Sequence, residues 1–185
     1  ITSAHFFFFR DNVPFNVTSD GTGQVGEPNH LQLTGITPSP ESSSENISDV
    51  TNAVLVLKNY KGQYPNQIVA VLNWTPDNKT YTLTDLHNEI YANTIGNATN
   101  GFVMSNSVYM DGTNKVIDVA SITSDNIKTS ESEALANPVD IYVERVAAKV
   151  VLTAAGKVYG TDNIYIGVKA YTKGCCKKSC CTYNY

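Results

Sequence analysis

The stretch Val139-Asp-Ile-Tyr-Val-Glu-Arg-Val-Ala-Ala-Lys-Val-Val-Leu152 contains two apolar patterns that are out of step with each other. Up to Val143 the apolar side chains occupy odd positions, and from Val146 onward they occupy even positions. Side chains of a strand alternate between its two faces, so a change of parity means that the buried face switches along the strand. The sequence therefore predicts a strand that bends near Glu144 and Arg145, through a bulge or by crossing from one sheet to another.

A helix is the alternative for the same stretch. Apolar residues at positions 143, 146, 147 and 150 also fit the i, i+3, i+4, i+7 spacing of a helix face. The dense β-branched content and the flanking Pro138 favour the strand. In both cases we expect a structural segment, in which Glu144 faces outward or pairs with Arg145 or Lys149.

Several other stretches also have the composition and spacing of strands. They are 1–10, 50–57, 67–73, 102–104, 116–122 and 164–171, of which the last alternates most regularly. In the first of them the continuous run Phe6–Phe9 predicts a strand covered on both faces, and Asp11-Asn12 predicts a turn after it. Asp85 is a suitable cap for a short helix over 86–93, and Ser130 with Glu133 matches a capping box before a second helical turn. This order of elements predicts a mainly β protein: a two-sheet β-sandwich, Greek-key or transthyretin-like, of about seven strands with one or two short helices.

The chain divides into a domain over residues 1–172 and a cysteine-rich tail over 173–185. Its four cysteines all lie in the tail, at Cys175, Cys176, Cys180 and Cys181, so they do not cross-link the core. A four-thiolate metal site, inter-chain disulfides and a segment foreign to the domain are the alternatives, and we favour the last. Within the domain, residues 18–48 are rich in Ser, Thr, Gly, Pro and Asn, which predicts either a disordered loop or an ordered excursion.

Four segments resemble the fimbrillin family, the major and minor fimbrial pilins of Bacteroidales. The most similar is Tyr142-Val-Glu-Arg-Val-Ala-Ala-Lys-Val150. The others, in the order in which the family has them, are His5-Phe-Phe-Phe-Phe-Arg-Asp11, Gln67-Ile-Val-Ala-Val-Leu-Asn73 and Gly101-Phe-Val-Met-Ser-Asn106. The resemblance implies the N-terminal β-sandwich domain of an exported subunit that assembles into a fimbria anchored at the outer membrane.

The resemblance also implies a mechanism and partners. Removal of a leading strand would leave a groove that accepts a strand from another subunit, so the partners are further pilin subunits, with host or bacterial surface ligands as adhesion targets. We expect the groove to be lined by Phe6, Phe8, Ile164, Ile166 and Val168. Family members continue into a second domain that ends in the donated strand. Because this chain stops at Tyr185, we expect it to accept a strand and not to supply one.

A cell-surface binding module is the alternative function. Such a module would be an adhesin or a glycan-binding accessory or tip subunit that recognises its ligand through loops. Tyr60, Tyr64, Trp74 and Tyr81 lie close together in sequence and are candidates for an aromatic sugar platform. The more common arrangement for such residues is half-buried between strands, and we favour it.

Composition and charge set aside other classes of partner. Charged residues make up only 16% of the chain, and the net charge is -4 with a pI near 5.3, which argues against nucleic acid and anionic lipid. Nothing approaches the apolar length of a membrane-spanning helix. The chain begins at Ile1, without an initiator Met or a signal-like segment, which predicts a processed product.

Residues with catalytic or metal-binding chemistry are sparse. His5, His30 and His87 lie far apart in sequence and show no metal-binding spacing. The glycines of residues 21–26 are spaced as G-x-G-x-x-G but lack the flanking strand and helix of a dinucleotide site. We therefore expect no enzyme activity and no cofactor or metal site. Five Asn-x-Ser/Thr sequons, at Asn16, Asn46, Asn73, Asn78 and Asn97, would carry glycans only in a eukaryotic source.

Overall fold

The computed structural model describes residues 1, 3–17, 28–40, 49–57, 63–93, 96–97, 101–106, 109–110, 116–117 and 119–145. The strands in chain order are β1 (Ala4–Arg10), β2 (Val13–Pro14), β3 (His30–Leu33), β4 (Ser39–Pro40), β5 (Asp49–Val50), β6 (Gln67–Leu72), β7 (Gly96–Asn97), β8 (Gly101–Phe102), β9 (Met104–Asn106), β10 (Tyr109–Met110), β11 (Val116–Ile117), β12 (Ala120–Ser121) and β13 (Val143–Arg145). The helices are α1 (Leu83–Asn93), a 3₁₀ turn (Ser124–Asn126) and α2 (Glu131–Ala136).

Two antiparallel strands, β1 and β6, form the centre of the main sheet. They pair from Ala4 opposite Leu72 to Phe9 opposite Gln67. The other edge of β1 pairs with β3 along its first half and with β2 at its end. The other edge of β6 pairs with β9 and β12, and β9 pairs in turn with β13. Three separate pairs, β4–β5, β7–β8 and β10–β11, complete the described strands.

One face of this sheet, here called the helix face, is covered by α1 and by Tyr81. Because strand side chains alternate, every second residue of β1 and β6 points to this face. The resulting cluster consists of Phe7, Phe9, Val69, Val71, Tyr81, Leu86, Ile90 and Val103, none of which is more than 6% exposed. Each large apolar side chain buried in this way stabilises the fold by about 1.5–3 kcal/mol, so the helix face is the main core.

The opposite face, here called the open face, is less completely covered. The buried members of its apolar cluster are Phe8, Val17 and Ile68, and Ala4, Ala70 and Leu72 of β1 and β6 are also buried on this face. The apolar residues packed against the cluster are only partly buried, and they are Phe6, Phe15, Leu31, Leu55, Leu57, Ala120, Ile122, Val139 and Ile141. The open face therefore has fewer fully buried residues than the helix face and a wide half-exposed apolar margin.

A two-residue turn joins β1 to β2. Asp11 and Asn12 both have positive φ angles, 53° and 66°, as a type I′ hairpin turn requires. Each residue is held by a reciprocal pair of hydrogen bonds. The Asp11 amide donates to Asn66 Oδ1 and Asn66 Nδ2 donates to Asp11 Oδ1, while Asn12 and Gln67 repeat the arrangement. The turn predicted from the Asp-Asn dipeptide is confirmed, and its side chains fix the register of the hairpin against β6.

Two buried asparagines join elements that have no continuous backbone pairing. Asn29 is fully buried. Its side-chain Nδ2 donates to the carbonyl oxygens of Phe8 and Tyr81, and its Oδ1 accepts from the backbone amide of Tyr81 at 2.8 Å. Asn106 accepts from the Ala70 amide at 2.8 Å and donates to the Ile68 carbonyl oxygen at 3.1 Å. The Asn106 side chain thus replaces a strand neighbour on β6, between the short stretches paired with β9 and β12.

The helix starts show one error and one confirmation. Helix α1 begins three residues earlier than predicted, because Thr82 and Asp85 form reciprocal hydrogen bonds in which each side chain accepts from the other's amide. Thr82 is therefore the cap, and the prediction of Asp85 in that role was wrong. Helix α2 starts after Ser130, as predicted, but the Ser130 side chain makes no capping hydrogen bond to the helix backbone. Its hydroxyl donates to Glu133 Oε2 at 2.7 Å instead, so the predicted capping box is not formed.

The mainly β, antiparallel class predicted from the sequence is confirmed. The strand predicted over 50–57 was wrong beyond Val50, since 51–57 are irregular. In the first half of 139–152 the odd residues are half-buried and Glu144 is exposed, as expected, but only Val143–Arg145 is a strand. Residues 146–152, 164–171 and the tail lie outside the described residues. The two-sheet sandwich stays a prediction.

Candidate functional site

The predicted assembly groove falls partly on the open face. Phe6 and Phe8 point to this face from β1, where Phe8 is 2% exposed and Phe6 is half-buried. Ile164, Ile166 and Val168, the other predicted members, lie outside the described residues. Because β1 is paired along both edges, an incoming strand has no free β1 edge to pair with in this arrangement. The groove as a whole stays a prediction.

The sheet edges are the places where backbone groups are available for a further strand. Within the described residues the sheet ends at β13 on one side and at β3 and β2 on the other. On the β3 side, Leu31 lies opposite Phe6 and packs on the open face. This edge therefore combines a strand border with adjacent, half-buried apolar side chains, which are the two features that strand addition uses.

The four segments that resemble fimbrillins are neighbours in space. They contain β1, β6, β9 and β13, and these strands lie side by side in the order β13-β9-β6-β1. In sequence the segments are separated by long intervals, so this adjacency is a property of the fold. The described parts of these segments therefore form one contiguous part of the main sheet.

The aromatic residues considered for a sugar platform do not form one. Tyr81 is 0% exposed in the helix-face core, and Trp74 is half-buried with its ring 5.8 Å from that of Tyr81. Tyr64 is 47% exposed, and Tyr60 lies outside the described residues. A buried Tyr81 cannot stack against a sugar, so Tyr81 and Trp74 show the burial that we favoured over a platform.

Two of the three histidines come together, which the sequence did not indicate. The His5 and His30 rings lie 6.0 Å apart between centroids, on the helix face, at the pairing of β1 with β3. Among the described residues, neither ring nitrogen of His5 has a hydrogen-bond partner, and Nε2 of His30 has none. The alternation of side chains along a strand predicts that His5 and Phe7 share one face of β1. The sequence does not give the register of β1 with β3, which places His30 opposite Phe7 and beside His5.

The electrostatics of this pair follow from burial. Desolvation lowers the pKa of His5 to about 4, and the neighbouring charge of protonated His30 contributes in the same direction. The pKa of His30 is also lowered, because burial outweighs the opposite effect of its hydrogen bonding to the backbone of Asp77 and Lys79. Both imidazoles are therefore neutral at physiological pH.

The described residues offer little for catalysis or metal binding. No group of three or more His, Cys, Asp or Glu among them could hold a metal ion. Glu144 is exposed, as predicted. A cleft between α1 and the sheet, next to His87 and Ser105, encloses about 10 Å³. That volume corresponds to roughly one water molecule, which is too small for an organic substrate.

Other features singled out in the sequence have mixed outcomes. The glycine-spaced loop at 21–26, the cysteine tail, and Asn46 lie outside the described residues. Asn78 is exposed, whereas the side chain of Asn73 is part-buried and donates to the Phe102 carbonyl oxygen at 2.8 Å. In the described part of the chain, no helix is long and apolar enough to cross a membrane.

Comparison of the chain with protein-family models, with curated proteins and with solved structures found no match.

Proposed function

We propose that this chain is a structural subunit of a bacterial surface fimbria, which polymerises by accepting a strand from a neighbouring subunit and supports adhesion. The observation that carries the proposal is the adjacency of the four fimbrillin-like segments. Segments that resemble one family, in that family's order, form neighbouring strands β13, β9, β6 and β1. Strands that lie side by side in this way are what a shared structural framework would produce.

The open face supplies the second support. Nine apolar residues around Phe8, Val17 and Ile68 are only partly buried. A subunit that binds a neighbour through one face of its sheet needs such a margin, because the margin becomes buried on association. The helix face has no comparable role in the proposal, since its cluster is already buried.

We assign the acceptor edge to β3. An added strand would pair with the outer backbone of β3 and place alternate side chains beside Leu31 and Phe6. This differs from the initial expectation that β1 itself borders the groove, because β1 is paired on both sides. Four or five apolar side chains buried by such a strand would contribute about 6–15 kcal/mol before association costs are subtracted.

In this proposal the partners are further subunits, and the location is the cell surface. A strand that passes from each subunit to the next forms a head-to-tail contact that does not close, which produces a filament. The chain performs no chemistry in this role, so it needs neither a catalytic residue nor a cofactor.

The test combines the chain with a synthetic peptide from the C-terminal end of its full-length gene product. We expect a one-to-one complex by native mass spectrometry and a higher melting temperature. Phe6→Asp should weaken the complex at least about tenfold, because it places a charge in the apolar margin. Leu135→Asp is the matched control, since Leu135 is 44% exposed on α2 and belongs to neither apolar cluster.

Two results would count against the proposal. One is a chain that shows no change in mass or melting temperature with the peptide at high micromolar concentration. The other is a complex that Phe6→Asp and Leu135→Asp weaken equally, since binding would then not involve the open face. Electron microscopy of the full-length product should show filaments, and particles without repeats would contradict assembly.

A further inference from the structure

His5 and His30 lie on opposite sides of a short strand pairing. His5 belongs to β1 and His30 is the first residue of β3, which pairs only with the first half of β1, from Ala4 opposite Leu33 to Phe7 opposite His30. The two rings are in edge contact, and the ring of Phe7 lies 5.0 Å from that of His30. The pair therefore forms part of the packing that holds β3 in place.

Among the described residues, the surroundings of His5 provide no acceptor for a protonated ring. His5 is 4% exposed, and both of its nitrogens lack a partner among the described residues. Its neighbour across the pairing with β6 is the apolar Val71. A protonated imidazole must donate two hydrogen bonds, so protonation of His5 in place leaves a buried cation without acceptors.

The charged groups near the pair do not remove this penalty. The segment that packs against His30 contributes the Tyr81 ring at 5.9 Å, and burial raises the pKa of Tyr81, so its phenol stays neutral in acid. From the same segment, Asp77 and Lys79 reach His30 through their backbone. The Lys79 ammonium is paired with Glu89 of α1 at 2.6 Å. Among the described residues, the titratable group that acts on His5 by charge is His30, and its effect is repulsive.

We propose that His5 and His30 form an acid-sensitive latch, which holds β3 against β1 while both imidazoles are neutral and releases β3 when either is protonated. Release relieves the buried charge because it exposes both rings to water. The inference does not depend on the fimbrial proposal, since it concerns only the pairing of β3 with β1.

The extent of the release is set by neighbouring anchors. Asn29 precedes His30 and is held by three side-chain hydrogen bonds, and its carbonyl oxygen also accepts from the Phe8 amide at 2.8 Å. On the other side of β3, Gly35 has a positive φ of 72° and open space around it. The segment from His30 to Thr34 is therefore the part expected to detach, while Asn29 stays bound.

The direction of the pH dependence follows from the pKa of His5. The pKa of His5 is about 4 in the folded chain and 6.5 for a solvent-exposed histidine. Between these pH values the unfolded or released state therefore binds more protons than the folded state. Stability is therefore complete above about pH 6.5 and is lost as the pH falls towards about 4. Between about pH 7 and about pH 5 the unfolding equilibrium constant should rise at least about tenfold.

The experiment measures urea unfolding at both pH values for the wild-type chain and for His5→Phe, which keeps a neutral ring. We expect His5→Phe to lose most of the tenfold rise. His87→Phe is the matched control, because His87 is the remaining histidine and is exposed on α1. A rise that persists in His5→Phe, or disappears in His87→Phe, would overturn the proposal.

A second measurement needs no variant, which matters if His5→Phe folds poorly. Hydrogen exchange of the wild-type chain, corrected for the intrinsic effect of pH, should show protection lost in residues 30–34 at about pH 5 before it is lost in β6. Equal loss in β3 and β6 would mean that acid acts on the whole fold, and the latch would be rejected.

Discussion

The two faces of the central sheet differ in how completely the chain covers them. On the helix face, α1 and Tyr81 close over β1 and β6, and eight apolar residues are buried to 6% exposure or less. The corresponding cluster on the open face has three buried and nine partly buried residues, whereas three partly buried residues pack on the helix-face cluster. Ala4, Ala70 and Leu72 are also buried on the open face. Since β1 contributes phenylalanines to both faces, the difference comes from what packs on each side and not from the strand itself.

This difference separates the contribution to folding from the contribution to association. A side chain that is already buried contributes its transfer free energy to the monomer, whereas a partly buried one retains area that a partner can cover. The helix face is thus expected to determine stability. The open face is expected to matter more for the contacts that the chain makes with other molecules.

The largest expected effect tests the faces directly with neighbouring phenylalanines. Phe7→Ala, on the helix face, should lower the free energy of unfolding by about 3–5 kcal/mol, because it removes a fully buried ring and leaves a cavity. Phe6→Ala, on the open face, should cost roughly half as much, since Phe6 retains exposed area. Urea unfolding followed by fluorescence measures both. Equal costs would mean that the open face is as tightly packed as the helix face.

Asn29 tests whether the helix face depends on polar as well as apolar burial. Asn29→Ala should cost about 2–3 kcal/mol, because it leaves the buried Tyr81 amide and carbonyl without their side-chain partner. Asn66→Ala is a suitable control: it removes hydrogen bonds of the same kind at the exposed Asp11 turn, and it should cost less than about 1 kcal/mol. If both variants lose the same stability, the buried position of Asn29 has no special importance.

Asn106 tests the join between the two short strands on the outer edge of β6. Asn106→Ala removes the hydrogen bonds to the Ala70 amide and the Ile68 carbonyl, and we expect a loss of about 1–2 kcal/mol. Amide exchange at Ala70 should become faster, while exchange in β1 should change less. Unchanged protection at Ala70 would show that water replaces the side chain without cost.

The sequence predicted the parts of the fold that local patterns determine. The Phe6–Phe9 run predicted a strand covered on both faces, and β1 is buried on both, although Phe6 is only half-buried. The Asp11-Asn12 turn and the start of α2 after Ser130 were also predictable, because short-range chemistry fixes them. The strand predicted over 50–57 was wrong because an apolar run can pack on a sheet without pairing, as Leu55 and Leu57 do.

The long-range features could not be predicted in the same way. In the sequence, nothing distinguishes Asn29 and Asn106 from other asparagines in loops or at strand ends. Their side-chain amides are needed because the pairing of β1, β3 and β6 leaves buried backbone groups that these side chains reach. The His5–His30 pair depends on the same register. The sequence also gives no means of deciding that Tyr81 belongs to the core, since an aromatic residue followed by a helix cap is equally suitable for a surface.

The smallest expected effect concerns β13, at the sheet edge. Arg145 is exposed, and its guanidinium lies 5.1 Å from the centre of the Phe102 ring, a cation–π contact at a solvated site. Arg145→Ser should therefore cost about 0.5–1 kcal/mol. Arg145→Lys should recover part of that loss, and Glu144→Ser, an exposed neighbour without this contact, should change stability by less than about 0.5 kcal/mol. A loss of several kcal/mol for Arg145→Ser would mean that β13 is not a peripheral strand, and that the sheet continues beyond it.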